Sequence, residues 1–150
     1  MEDKLAQQRK ELIKLQQRFE EDSQPVGEMW TSEQIQKLLR NLPIVMHSQG
    51  NQVVQSLVEF KQSKVNLKRV YSTKLLEANY DEDFKSAAER KAYAENSSEY
   101  REAEDDVIIK EGNYKAAELR YNAYEALYTA VKKASSMILE QDKAQNRATY

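Results

Sequence analysis

Over residues 103–138 the chain keeps one pattern without a slip. Ala103, Val107, Lys110, Tyr114, Ala117, Tyr121, Tyr124, Tyr128, Val131, Ser135 and Ile138 stand at alternating steps of four and three, and nine of the eleven are apolar or aromatic. That spacing keeps side chains on one face of a helix and is the pattern of a coiled-coil seam. It predicts a helix over about 98–146, on the order of 70 Å long. Asp and Glu crowd its first turns, while Lys132, Lys133, Lys143 and Arg147 lie in its last third, as the helix dipole favours. Gly112 is the weak point, because glycine costs about 1 kcal/mol in a helix interior.

A second run precedes it. Val53, Leu57, Phe60, Lys64, Leu67, Tyr71, Lys74 and Ala78 follow the same steps and predict a helix over about 44–79. Asn79-Tyr80-Asp81-Glu82-Asp83 reads as a turn, 84–95 as a short helix, and Asn96-Ser97-Ser98 as its stop. Two long helices joined this way should fold back as an antiparallel hairpin. Upstream, Thr31 and Gln34 have capping-box spacing ahead of Ile35, Leu38, Leu39 and Leu42. Pro43 should end that helix or open the next, with Asn41 as the cap. Residues 2–22 carry a thin stripe of Leu5, Leu12, Leu15 and Phe19, and Ser23-Gln24-Pro25-Val26-Gly27 then breaks the chain.

The expected fold is therefore all-α: an N-terminal helical arm over 1–24, then a helical hairpin or coiled-coil domain over 25–150. The last helix carries a second ridge of Leu119, Ala123, Ala126, Ala130, Ala134 and Met137. A thin hairpin buries little surface by itself, so a homo-oligomer is expected.

Composition narrows the function. Charged residues make up 32% of the 150, with three Gly, two Pro, one His and no Cys. No glycine-rich phosphate loop, thiolate metal set or Cys nucleophile is available, and no serine has a base placed to activate it. No signal peptide or membrane-length apolar stretch stands out, so a cytoplasmic protein is expected, without cofactor or metal. Glu104-Asp105-Asp106 and Asp81-Glu82-Asp83 could hold magnesium between them, but read more simply as a helix start and a solvated loop. His47 has no partner spaced to make a site, and Trp30 reads as a packing anchor for the arm. An enzyme is not expected.

The net charge of −2 hides an uneven distribution. Lys61, Lys64, Lys68, Arg69 and Lys74 come with no acid between them, and Lys85, Arg90 and Lys91 follow the acidic turn. Such a run suits the phosphates of a nucleic acid, with Tyr71, Tyr80 and Tyr93 near enough to stack on unpaired bases. It equally suits pairing across a hairpin, where it would face Glu104, Asp105, Asp106 and Glu111. Tyr114, Tyr121, Tyr124 and Tyr128 fall on the seam and read as core, with hydroxyls needing water or partners such as Lys110 and Ser135.

Three stretches in order carry a resemblance: Lys64-Val65-Asn66-Leu67-Lys68-Arg69-Val70-Tyr71, then Glu89-Arg90-Lys91-Ala92-Tyr93, then Ser98-Glu99-Tyr100-Arg101-Glu102-Ala103 leading into the long helix. Over about 45–150 the chain resembles the phage recombination mediator family of UvsY type. The resemblance implies a helical, self-assembling protein that binds single-stranded DNA and helps a RecA-type recombinase displace the single-strand-binding protein. The family's basic DNA-contacting run maps onto Lys64, Val65, Leu67 and Lys68, with Arg69 adjoining. Lys61, Lys64, Lys68, Arg69, Lys74, Arg90 and Lys91 are thus the expected DNA-binding residues. The other reading is a structural coiled-coil adaptor or inhibitor that acts through protein contacts alone.

Overall fold

Thr31 and Gln34 start the first helix by exchanging hydrogen bonds. The Thr31 hydroxyl accepts from the Gln34 amide at 3.2 Å, and Gln34 Oε1 accepts from the Thr31 amide at 2.9 Å. Two of the four orphan N–H groups of the helix start gain partners this way. In the computed structural model, which describes residues 30–148, the helix so capped is α1, Ser32–Tyr80. A turn leads to α2, Ala87–Asn96, and then α3, Ser98–Ala148. The protein is all-helical over these residues, with no strand among them. The expected arm over 1–24 and the break at 23–27 lie outside the described residues.

The short helix is framed by serines. Ser86 accepts from the Glu89 amide at 3.1 Å while the Glu89 carboxylate accepts from Ser86 N at 3.0 Å, a complete capping box. Ser97 serves two helices: its hydroxyl donates to the Ala94 carbonyl at 2.8 Å and accepts from the Tyr100 amide at 3.2 Å. The breaker at 96–98 therefore ends α2 and caps α3 in the same residue.

Pro43 does not divide the chain as expected. It sits inside α1, which runs through it without a stop. A proline there removes one backbone hydrogen bond and crowds the preceding turn, at a cost of about 3 kcal/mol in an isolated helix. The ring is exposed, whereas Leu38 and Leu42 beside it are essentially fully buried. Burial on one face holds the helix through the fault on the other.

Contacts divide the chain into two units. One takes the described residues up to Gln49 together with the described residues from Tyr121 onward; the other is Gly50–Arg120. In the first, Ile35, Leu38, Leu42 and Val131 form a buried cluster, and Trp30, Leu39, Tyr124, Leu127 and Ile138 pack against it. Gln49 is 1% exposed, and neither atom of its amide has a hydrogen-bond partner among the described residues. An unmade buried hydrogen bond of this kind costs about 1–3 kcal/mol.

In Gly50–Arg120 the cross-helix contacts run in opposite directions along α1 and α3. Lys110 meets Glu59 at 3.1 Å, Phe60 stacks on Tyr114 with centroids 6.2 Å apart, Tyr71 tilts against Tyr100 at 5.9 Å, and Lys74 meets Glu99 at 2.8 Å. From residues 59 and 60 to residues 71 and 74 of α1 the partners on α3 move back from 110 and 114 to 100 and 99, so the two stretches are antiparallel. Small residues lie deepest: Ala78, Ala94, Ala103 and Ala117 are buried, and so is Ser63, whose hydroxyl donates to the Phe60 carbonyl at 2.8 Å.

Gly112 leaves α3 unbroken. A Cβ added there would meet nothing within 4 Å, and the position is exposed. Gly112→Ala should therefore raise stability by about 1 kcal/mol, the difference in helix propensity alone. A urea melt followed by circular dichroism checks it; a lower midpoint in the variant would show that something contacts this face.

Candidate nucleic-acid interface

The basic run lies on α1 in the unit Gly50–Arg120. At 100° per residue, Lys61, Lys64 and Lys68 fall within about 60° of one another on the helix wheel. All three, with Arg69, are exposed. Among the described residues no carboxylate forms an ion pair with any of the four. The Lys64 ammonium lies over the Phe60 ring one turn earlier, 4.3 Å from its centroid, a cation–π contact that leaves its charge without a carboxylate partner among the described residues. Arg69 donates to Asn66 Oδ1 at 2.9 Å, a local bond that steadies the guanidinium without neutralising it.

The acidic stretch of α3 does not close over these cations. Glu104 and Asp105 are exposed, and Glu111 pairs with Lys115 at 2.7 Å on its own helix. Its carboxyl is held below the usual range first by that lysine, with Lys64 a smaller and more distant influence. Cross-helix charge matching does occur, but elsewhere: Glu59 is held low by hydrogen bonds from Lys110 and then Gln55.

Lys74, Arg90 and Lys91 are placed differently. Lys74 bridges Glu77 at 2.9 Å and Glu99 at 2.8 Å, and these two carboxylates raise its pKa, Glu99 the more strongly. Arg90 donates to Asn79 Oδ1 at 2.8 Å and to the Ser86 carbonyl at 3.3 Å, tying α2 back to the end of α1. Lys91 pairs with Glu95 at 3.6 Å on its own helix. The expected site residues are therefore not one patch. Lys61, Lys64, Lys68 and Arg69 stand together in solvent, Lys74 and Arg90 tie elements of the fold together, and Lys91 is exposed with a local pair on its own helix. A cleft of 300 Å³ beside Arg69 is lined by Lys74 but also by Glu77 and Glu99, whose charges disfavour an anion there.

Apolar side chains share the basic face. Val54, Val58 and Val65 lie within about 40° of each other on the wheel, next to the lysines. Val65 is 68% exposed, and Leu67, the other apolar residue of the mapped run, is half-buried on the seam side. The tyrosines named for stacking separate as well. Tyr71 packs on Tyr100 and Tyr93 on Phe84, whereas Tyr80 is 86% exposed. Tyr100, which packs on Tyr71, stands three residues before Ala103 and extends the seam by one step.

The Lys74–Glu99 pair makes a pH prediction. Hydrogen bonding from Lys74, then its own backbone amide and Ser98, brings the Glu99 carboxyl from 4.5 down to about 2. A carboxyl with a depressed folded pKa contributes stability that is present above its unfolded value and lost as pH falls through the folded one. Lys74, with its pKa raised, contributes below 10.5 and loses that contribution as pH rises beyond it. Thermal midpoints of the parent and of Glu99→Gln should hence differ at neutral pH and converge between about pH 4.5 and 2. A constant difference across that window would show that the pair is not formed.

Among the described residues no three His, Asp or Glu side chains are grouped to hold a metal ion, and no helix is long and apolar enough to cross a membrane. His47 is exposed, and Trp30 packs on the Leu38–Leu42 cluster. No protein-family model matches the chain, and neither a curated protein nor a solved structure does.

Proposed function

We propose that this chain is a non-enzymatic, oligomeric single-stranded DNA-binding protein that acts as a recombination mediator of phage type in the host cytoplasm. In this reading it folds as a coiled-coil hairpin and helps a RecA-type recombinase displace the single-strand-binding protein. One observation carries it: Lys61, Lys64, Lys68 and Arg69 are exposed and, among the described residues, free of ion pairs although an acidic helix stretch is packed in the same unit. Cations kept unpaired beside available carboxylates favour an external polyanion. Exposed Val54, Val58 and Val65 give the sugars and bases of an unpaired strand an apolar surface next to the phosphates.

The same valines favour a second reading, a coiled-coil adaptor that buries this face against another helix. Anisotropy of a labelled oligonucleotide at two salt concentrations, with the particle mass from light scattering, separates them. The mediator reading expects binding at low salt that weakens as salt rises, by a particle heavier than the 17.5 kDa chain. Absence of binding at low salt overturns it and leaves the adaptor.

A further inference from the structure

Where the turn after α1 meets α2, the rings of Phe84 and Tyr93 lie 4.9 Å apart with their planes tilted by 47°. They line an open cavity of 490 Å³ whose rim includes the carboxylates of Asp83 and Glu89 and the side chains of Asn96 and Ser97. Tyr93 keeps 37% of its surface exposed. Two aromatic rings beside two carboxylates form an environment that attracts cations through both ring quadrupole and charge.

Lys85, next to Phe84 in sequence, is exposed and does not line the cavity, and the other basic side chains nearby are engaged elsewhere. Arg90 is turned to Asn79 and the Ser86 carbonyl, Lys91 to Glu95, and Arg101 to Asn96 Oδ1 at 3.0 Å. Among the described residues no cation pairs with Asp83. Glu89 is fixed in the capping box, where amide donors from Ser86 and Lys85 hold its carboxylate in place at the rim. Asp81 and Glu82 add further exposed negative charge on the same turn. Among the described residues no Lys or Arg lines the cavity, which is apolar within and negative at its edge.

We propose that this cavity is a docking site for a basic segment of a partner protein, which inserts an arginine side chain against Phe84 and Tyr93. Arginine fits better than lysine, because a planar guanidinium stacks on a ring while its edge donates in pairs to a carboxylate. The volume leaves room for an apolar neighbour of that arginine. A nucleic acid is repelled by Asp81, Glu82 and Asp83, so the site is independent of the basic face of α1 and does not rest on the function proposed above.

The probe is a short fluorescein-labelled peptide of alternating arginine and leucine, added to the full chain at low salt. It should bind, and versions with lysine or glutamate in place of arginine should bind more weakly and not at all. Tyr93→Leu keeps an apolar side chain without the ring, and Asp83→Asn keeps the shape without the charge. Each should weaken the arginine peptide about fivefold with helix content unchanged, as expected for loss of one exposed cation–π or charge contact. Oligonucleotide affinity, where present, should not move. The proposal is overturned if the parent does not bind the arginine peptide, if the glutamate peptide binds as well, or if both variants bind like the parent. It is also overturned if the variants change the particle mass instead, since the cavity would then be a contact between copies.

Discussion

Leu42→Ala should lower the stability of the first unit by about 2–5 kcal/mol, the range for removing a fully buried leucine and leaving a cavity. The cluster it belongs to is small: among the described residues its other buried members are Ile35, Leu38 and Val131, and Leu42 has no exposed surface. Helical pairs have few layers of side chains, so each one carries a large share of a total of about 5–15 kcal/mol. Pro43 sharpens the effect, since the packing of Leu42 and Leu38 is what offsets the hydrogen bond that proline removes. Trp30, the single tryptophan, packs on this cluster and reports its loss by fluorescence. A urea midpoint lower by about 1 M or more is expected. Leu76→Ala is the control, because Leu76 is 56% exposed and should change stability by only about 0.5 kcal/mol. If the two variants melt alike, the cluster is not what holds this unit.

How far the sequence discloses this fold depends on the kind of signal. All eleven seam positions read from residues 103–138 are buried or half-buried, because apolar periodicity reports burial directly. On α1 the register departs by one at its polar position. Ser63 is buried where Lys64 was expected, and Lys64 is exposed. Hydropathy treats both as polar, but a serine can satisfy its hydroxyl on the Phe60 carbonyl of its own helix and a lysine ammonium cannot. The stop at Pro43 failed for a related reason: a local rule was outweighed by burial of residues distant in sequence. Tyr114 finds its partner in Glu118 at 2.9 Å rather than in Lys110, since Lys110 is drawn to Glu59 across the helix pair. Partner choice of this kind requires knowing which residues face each other.

The basic run shows the same limit from the functional side. Its charge is plain in the sequence, but whether each cation meets a carboxylate depends on its angle around α1. Lys74 is directed at Glu99; Lys61, Lys64 and Lys68 are not. The triple change Lys64→Ala, Lys68→Ala and Arg69→Ala tests what that difference means. Each phosphate contact on a single strand contributes about 0.7 to the slope of log affinity against log salt, so the slope should fall by about 2. At 0.1 M salt the same contacts are worth about a hundredfold in affinity together. Helix content should stay as it was, because among the described residues none of the three holds an ion pair and Lys64 is exposed. Lys74→Ala gives the opposite expectation: lower stability from the lost bridge to Glu99 and little change in the salt slope. A triple variant that binds DNA with the parent's slope would show that the unpaired cations of α1 are not where the strand lies.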